Sequence, residues 1–588
     1  MSESTSNNQN NNSELNIETT DCFACGNEIF GTKLFLKYKV CYKCNFHFHI
    51  NARERLESLV DRGTFKEFFN DITSLNPPEP TKEKQYKSRI NKDRKRTGLS
   101  EAILTGTCTV GGSPVVIMVL DFGFLGGSMG LVVGEKVALS LELATKRRIP
   151  ALCVITSGGS RIQEGVLSLM QMAKTVVAAD NLHSKGLPII SILGNPSTGQ
   201  VIASFVSLSD VIIAEPGAHI GYAPYRSIKE VSGEIEPSRY TSEIYQKHGL
   251  IDRVVSRQNI NRETSTILDL LSPKFNLETL KTTSMPETTL LPLKPWEMVQ
   301  LARNDNRPQS RYYISEIFAN FIELHGDRLM SDDPSIIVGL GRLAGESIMI
   351  IAQQKNINKE KKSPDSSKIS SKRVKIKPEG FRKAKRAVEL AERFGLPIIT
   401  LVDSLGPELS LQAEYKGLAN SISELISTMT RAEVATISVI IGEGGSETGL
   451  SFSVSDRLLM MQNAIFTPMS PEDVARSQLK DSKKIREVVS SLKLTSTDCL
   501  NMGIIDYIVP EPEGGAHSSH QEAARLLKIE LMKELGGLKK IYPRTLSRRR
   551  KKKYRRMGEY SNKFRATLKS ELKIWQSAFT AGVKALKK

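Results

Sequence analysis

Two halves of this chain spell the same order of strand-like runs. SPVVIMVLD (113–121), IPALCVITS (149–157), LPIISILG (187–194) and DVIIAEP (210–216) form the first set. SIMIIAQQ (347–354), LPIITLVDS (396–404), ATISVIIGE (435–443) and DRLLMMQNA (456–464) form the second. Ser209-Asp210 returns as Ser455-Asp456, an offset of 456 − 210 = 246 residues, and Gly249-Leu-Ile-Asp252 returns as Gly503-Ile-Ile-Asp506. A helix-like segment precedes the second run of each set. In FRKAKRAVELAERFG, Ala384, Ala387, Val388 and Ala391 recur at helical spacing. Apolar β runs alternating with amphipathic helices predict an α/β fold with buried strands, made twice. Each half, at roughly 220 residues, is long enough to build its own core. MPETTLLPLKP (285–295) has the Pro and Thr content of a linker, which sets domains at 51–284 and 296–545.

Cys22, Cys25, Cys41 and Cys44 stand in a C-x2-C-x15-C-x2-C pattern ahead of the repeat. Two such knuckles bring four sulfurs to one point and predict a zinc ribbon over residues 21–50, its ion structural because all four positions are filled. A pair of disulfides is the competing reading. Only seven cysteines in 588 residues and no secretory signal favour a reduced, cytoplasmic chain. The first twenty residues are polar and read as a disordered tail. No run of about 18 apolar residues exists, so no membrane-spanning helix is expected.

The net charge of +18 is uneven: Arg548 to Arg556, RRRKKKYRR, holds eight basic residues in nine, and a second basic stretch runs from Lys359 to Lys377. Residues 546–588 read as a basic tail. Such runs are solvated surface, or they attract nucleic acid or an acidic partner.

Chemistry is expected where strands end. ITSGGSR (155–161), NPSTGQVIAS (195–204), VDSLGPELS (402–410) and IIGEGGSETG (440–449) each leave a strand through glycine. Where such a turn enters a helix, its N–H groups can hold a developing oxyanion; a tight turn with no further role is the plain alternative. The GGS at 158–160 and the GGS at 444–446 are expected at corresponding or facing turns. No Ser-His-Asp or Cys-His set stands out. His47 and His49 lie beside the ribbon, where packing or solvent accounts for them.

The residues also carry a resemblance. RTGL (96–99), DFGFLGGSMGLVVGEK (121–136), SGGSRIQEGVLSLMQMAKT (157–175), IAEPGAHIGY (213–222) and the ribbon resemble the β subunit of bacterial acetyl-CoA carboxylase carboxyltransferase. HGDR (325–328), PEGFRKAKRAVELAERFGLPIIT (378–400), IGEGGS (441–446) and IIDYIVPEPEGGAH (504–517) resemble its α subunit, in β-then-α order on one chain. The resemblance implies two crotonase-like (ββα spiral) domains and an enzyme that moves CO2 from carboxybiotin on a carrier protein to acetyl-CoA. The product is malonyl-CoA for fatty acid synthesis. It implies backbone donors at Gly158, Gly159 and Ser160 in the first half and at Gly444 and Gly445 in the second. It also implies substrate contacts at Arg161, Gly199, Gly221 and Gly406. Biotin carboxylase and the biotin carboxyl carrier protein are implied as separate chains, and the α2β2 pattern of the family implies a homodimer.

The chain departs from the family at its turns. Ser197-Thr198-Gly199-Gln200 stands for TTGG, Ser160 replaces Ala in SGGAR, and Pro224-Tyr225 replaces Gly-Arg in GFAGRR. Asp403 to Ser410 stands for DTPGAYPG, Gly444-Gly445-Ser446-Glu447-Thr448 for GGSGG, and Ala464 to Asp473 for YSTYSVISPEG. Three functions remain at this point. The chain is a working carboxyltransferase, a weak or inactive homologue serving as regulatory or scaffolding partner of the carboxylase, or a zinc-ribbon nucleic-acid binder.

Overall fold

Ala151–Ser157 is buried at all its positions, and so is Ile398–Ser404 in the second half. Near-continuous apolar runs of this kind form parallel strands covered on both faces. The computed structural model describes residues 21–73, 83–223, 225–233, 236–272, 293–358, 371–476 and 485–557. The tail at 1–20, most of the 285–295 linker, Pro224, the 359–370 part of the second basic stretch and residues 558–588 lie outside the described residues.

Two units emerge, residues 1–246 with 253–268, and 247–252 with 269–588. The first contains β1 (Lys66–Glu67), β2 (Ile103–Val110), β3 (Ser113–Leu120), β4 (Ala151–Ser157), β5 (Ile189–Thr198), β6 (Val211–Ala214), β7 (Ile220–Gly221) and β8 (Arg253–Val254). The second contains β9 (Ala319–Leu324), β10 (Ile336–Leu343), β11 (Glu346–Gln353), β12 (Asn356–Asn358), β13 (Ser371–Arg373), β14 (Ile398–Ser404), β15 (Thr436–Gly445), β16 (Arg457–Met461), β17 (Ile465–Thr467) and β18 (Tyr507–Val509). The first sheet runs β1-β2-β3-β4-β5-β6-β8 with β7 beside β5; the second runs β9-β10-β11-β14-β15-β16-β18 with β17 beside β15. In each, the first three strands are antiparallel and the rest parallel. The repeat in the sequence is a repeat of topology.

The division falls ahead of the linker read at 285–295. Segment 247–252 groups with the second unit for a visible reason. A Cβ on Gly326 would lie 2.1 Å from the Gly249 carbonyl oxygen, and Asp252 pairs with Arg386 at 2.5 Å and with Arg328.

The ribbon is fastened to the rest of the first unit by Arg257 and by Asn45 Nδ2, which donates to Ser256 Oγ at 2.8 Å. Arg257 donates to the carbonyls of Tyr38 (2.7 Å) and Phe48 (3.0 Å), and its backbone N–H donates to His47 Nε2 at 3.1 Å. The same guanidinium pairs with Glu215 at 2.7 Å, and Arg55 joins it at 2.9 Å. Burial alone would raise the Glu215 carboxyl, but the two guanidiniums outweigh it and hold the group well below the usual carboxylate range. His47 is buried in this contact, which lowers its imidazole, and His49 is exposed.

The basic run at 548–556 is not tail. Pro543–Arg556 is a helix, and Arg550 is fully buried in the second unit. Charge pattern alone misplaces it because the buried arginine finds its counter-charge, Asp456, 94 residues away in sequence.

Candidate active-site turns and a four-cysteine cluster

β4 ends at Ser157, and the chain turns through Gly158 and Gly159, the latter at φ +112°. β5 ends at Thr198 and turns at Gly199, φ +76°. The two turns touch through their backbones: a Cβ on Gly199 would lie 2.4 Å from Gly159 Cα. Only glycine fits such a contact at positive φ. The Gly158 N–H is engaged by the Gly126 carbonyl (2.8 Å) and the Gly159 N–H by Ser157 Oγ (3.1 Å). Those bonds hold the turn. Gly199 opens a short helical run, Gly199–Val201 then Ile202–Val206. The first N–H groups of a helix have no partner within it, so the available donors lie at 199–201.

The second unit builds the same device. Gly406, φ +105°, donates its N–H to Ser404 Oγ at 3.0 Å, as Gly159 does to Ser157. β15 ends at Gly445 and the helix Ser446–Ser453 begins, with Ser446 at φ +52°. Ser446 Oγ lies 3.1 Å from where a Gly406 Cβ would stand. Register fixes the correspondence. Ser157 pairs with Ser197 and Thr198 with Gly221; Ser404 pairs with Gly444 and Gly445 with Thr467. The offsets agree: 404 − 157, 406 − 159, 444 − 197 and 446 − 199 are all 247. The twin of Gly158-Gly159-Ser160 is therefore Leu405-Gly406-Pro407, and the twin of Gly444-Gly445-Ser446 is Ser197-Thr198-Gly199. This corrects the correspondence of one GGS with the other, which matched letters where strand order decides. Gln200 and Glu447 are likewise twins; Gln200 is 8% exposed, whereas Glu447 is exposed.

Arg161 holds the first turn rather than presenting its guanidinium to a substrate. Its side chain has no exposed surface and pairs with Glu101 (2.7 Å) and Glu164 (3.6 Å) while donating to the Ser128 carbonyl at 3.1 Å. Burial opposes its charge, but Glu101 outweighs this and keeps it protonated. Glu164 also accepts from Tyr86 Oη (2.7 Å) and the Leu131 N–H. Gly221, beside Thr198, is glycine because a Cβ would strike Tyr240 Oη at 1.9 Å.

One network escapes sequence reading. Glu443, just before Gly444, pairs with Arg303 (2.7 Å) and Lys355 (3.3 Å), and Lys355 reaches Asp403 at 3.6 Å. The Glu443 N–H donates to Asp403 Oδ1 at 2.9 Å. Burial would raise the Glu443 carboxyl; Arg303 and Lys355 outweigh it and hold it low. The ends of β14 and β15 are thus tied together by charge.

In the ribbon, the four ligand atoms of Cys22, Cys25, Cys41 and Cys44 lie within 4.8 Å of one another. Cys22 Sγ is 3.5 Å from Cys44 Sγ, and Cys25 Sγ is 3.8 Å from Cys41 Sγ. A tetrahedron with metal–sulfur bonds of about 2.3 Å has edges of about 3.8 Å, so the set fits one metal ion. All seven cysteines are free thiols. Hydrogen bonds from Asn27 draw the Cys25 thiol down to about 6, while burial pushes the Cys44 thiol up to about 12.

Residues 250–558 match the family model described as acetyl co-enzyme A carboxylase carboxyltransferase-like. The chain is 38% identical over 551 residues to the acetyl-coenzyme A carboxylase carboxyl transferase subunits beta/alpha of Clostridium tetani (strain Massachusetts / E88), covering 92% of this chain and 93% of that one. It belongs to the acetyl-CoA carboxylase carboxyltransferase family. The protein of the same description from Natranaerobius thermophilus is 37% identical over 562 residues, covering 92% of this chain and 91% of its own length. Among solved structures, transcarboxylase 12S matches with TM-score 0.64 at 22% identity, covering 82% of this chain and 90% of that one. A single-chain, multi-domain long-chain acyl-CoA carboxylase matches with TM-score 0.59 at 17% identity over 81% of this chain and 46% of its own. Both carboxyltransferase-like domains share the fold of these neighbours, the crotonase-like spiral expected from the sequence. Among the described residues, no helix of this family member is long and apolar enough to cross a membrane.

Proposed function

We propose that this chain transfers CO2 from carboxybiotin to acetyl-CoA, giving malonyl-CoA for fatty acid synthesis. The observation that carries the reading is the duplicated pair of glycine turns at the ends of parallel strands, one of each pair running straight into a helical segment. Carboxybiotin, delivered on a separate biotin carboxyl carrier protein charged by a separate biotin carboxylase, supplies the CO2 and, after releasing it, the base for the acetyl methyl. The chain supplies the donors. N–H groups at 199–201 hold the thioester oxygen as the methyl proton leaves and enolate charge develops. N–H groups at 446–448 hold the second oxygen on which charge appears. Gly158, Gly159, Gly406, Gly444 and Gly445 shape these holes, and Arg161 and Lys355 keep the turns in place. One such donor is typically worth on the order of 10²–10³ in rate. Glu447 points to solvent, where water and salt screen its carboxylate from the oxyanion. The test is malonyl-CoA formation by the purified chain given acetyl-CoA and carboxylated carrier; no turnover would end the reading.

The metal of the four-cysteine cluster is zinc in this proposal, held as a structural ion. About one zinc per chain is expected by metal analysis, and Cys44→Ala is expected to lose it; full retention in that variant would exclude the four-sulfur site. Free thiols throughout fit a reducing, cytoplasmic setting.

The working form is proposed as a homodimer, the first half of one chain meeting the second half of its partner. Ile162, Val166, Leu169, Met170 and Val177 leave large apolar side chains exposed after the first turn, and Leu409, Leu411 and Tyr415 do so after its twin. Ile162 and Leu409 hold twin positions, since 409 − 162 is again 247. Each face is the apolar surface the other lacks a cover for, and a second copy supplies both. Light scattering at micromolar concentration is expected to give twice the chain mass of 65.2 kDa; a monomer mass would count against pairing.

A further inference from the structure

Where the ribbon meets the rest of the first unit there is a cavity of about 210 Å³. Phe23, Phe46 and Phe48 of the ribbon line it. The Phe48 ring centroid lies 5.5 Å from that of Phe23 and 4.9 Å from that of Phe46. Phe23 is 71% exposed and Phe46 is 39% exposed, so both rings can be reached from solvent. Other lining residues come from the sheet. Asn195 lies towards the end of β5, and Glu215 directly follows β6. Open α/β sheets receive ligands at the carboxyl ends of their strands. Asn195 stands 199 − 195 = 4 residues before Gly199, about 13 Å of extended chain from the donors of the proposed first hole.

Charge and polarity narrow the occupant. Arg55 and Arg257 share the one carboxylate of Glu215, which leaves a positive charge unbalanced in the lining. Asn195 and His49 are exposed beside the rings. Asn195 Oδ1 accepts from the His219 N–H at 3.2 Å, which leaves its amide N–H groups on offer. A planar ring with hydrogen-bonding edges, carried on an anionic molecule, answers all three features. The two substrates of the proposed reaction differ here. The fused ring of biotin is saturated and does not stack, whereas acetyl-CoA ends in adenine with phosphates beside it. The cavity is smaller than the pockets of roughly 300–1,000 Å³ that enclose a whole drug-sized ligand, and it suits a single ring system.

We propose that this cavity is a subsite for the adenine end of acetyl-CoA, the base stacked against Phe23 and Phe46 and the arm reaching back to the hole at 199–201. The inference rests on the carboxyltransferase reading above. It gives the ribbon a part in substrate binding besides its proposed metal.

The test compares acetyl-CoA with acetyl-pantetheine, which shares the thioester and the arm but has no nucleotide. Both are given to the parent and to the double variant Phe23→Ala with Phe46→Ala, and zinc content and melting temperature are measured alongside. The KM for acetyl-CoA is expected to rise about ten-fold, with kcat within about two-fold and the KM for acetyl-pantetheine unchanged, because only the nucleotide loses its stacking surface. Phe23→Tyr with Phe46→Tyr keeps both rings and is expected to behave as the parent. An unchanged KM for acetyl-CoA overturns the proposal. Equal rises for both donors mean that the rings only support the fold, and overturn it too. Should the double variant fail to fold or to keep its metal, Phe23→Ala alone, at the more exposed ring, is read by the same measurements. No turnover by the parent would end the functional reading and this inference with it. Turnover by the parent with an unaltered KM in the variant ends this inference alone.

Discussion

Gly199→Ala is expected to lower kcat for malonyl-CoA formation by at least about 10²-fold while leaving the protein folded. The added methyl would lie 2.4 Å from Gly159 Cα and 3.4 Å from Gly159 N. Both obstacles are backbone, so no side-chain rotation relieves them. The residue also sits at φ +76°, where a β-carbon is strained in any case. The turns must separate, and donors displaced by about 1 Å no longer meet a developing oxyanion. Gly159→Val acts through the same contact from the other side, with a Cβ 3.3 Å from Gly199 Cα at φ +112°. Gly158→Ala is the contrast. Its Cβ would be 3.4 Å from the Gly126 carbonyl oxygen, an ordinary contact. A loss of less than ten-fold is expected there. Activity in Gly199→Ala within about three-fold of the parent, by steady-state assay, would remove the turn contact from the mechanism.

That contrast marks what sequence reading could reach. The strands were legible because a strand covered on both faces must be apolar along its length, and LPIISILG and LPIITLVDS are. The four glycine turns were legible because each follows such a run. Gly158 and Gly159 looked equal, yet they differ in the sign of φ, in which acceptor takes the N–H and in which backbone each abuts, none of which is written in residue type. The equivalence of 197–199 with 444–446 was within reach, because the 246-residue offset carried from Gly159 lands beside Gly406. The repeated letters GGS drew the match away from it. Arg303, Lys355, Asp403 and Glu443 converge from four separate places along the chain, and no spacing rule joins them.

Arg550→Met is expected to lower the melting temperature by about 10 °C, whereas Arg549→Ala, one residue away and exposed, should move it by less than about 2 °C. RRRKKKYRR gives no reason to separate the two. In the structure, Arg550 pairs with Asp456 at 2.6 Å and donates to the carbonyls of Met429 (2.6 Å), Ala432 (3.0 Å) and Val434 (2.9 Å). Removing it leaves the Asp456 carboxylate, still bonded by the Thr436 N–H and hydroxyl, without its buried counter-charge, and takes a donor from three carbonyls, a loss of about 3–5 kcal/mol. Replacing both partners, Arg550→Met with Asp456→Asn, should cost less than the single change, because the stranded charge is gone. The consequence reaches the second turn. Tyr554, on the same helix, donates to the Ser453 carbonyl at 2.8 Å and accepts from the Ser455 N–H at 3.0 Å, at the end of the Ser446–Ser453 helix. Loosening the Arg550 anchor therefore frees the far end of the helix whose first N–H groups form the proposed second hole. Malonyl-CoA formation in Arg550→Met should fall below the parent at temperatures where the variant is still folded. Equal melting temperatures for Arg550→Met and Arg549→Ala would show that the run is surface throughout, as its composition alone suggests.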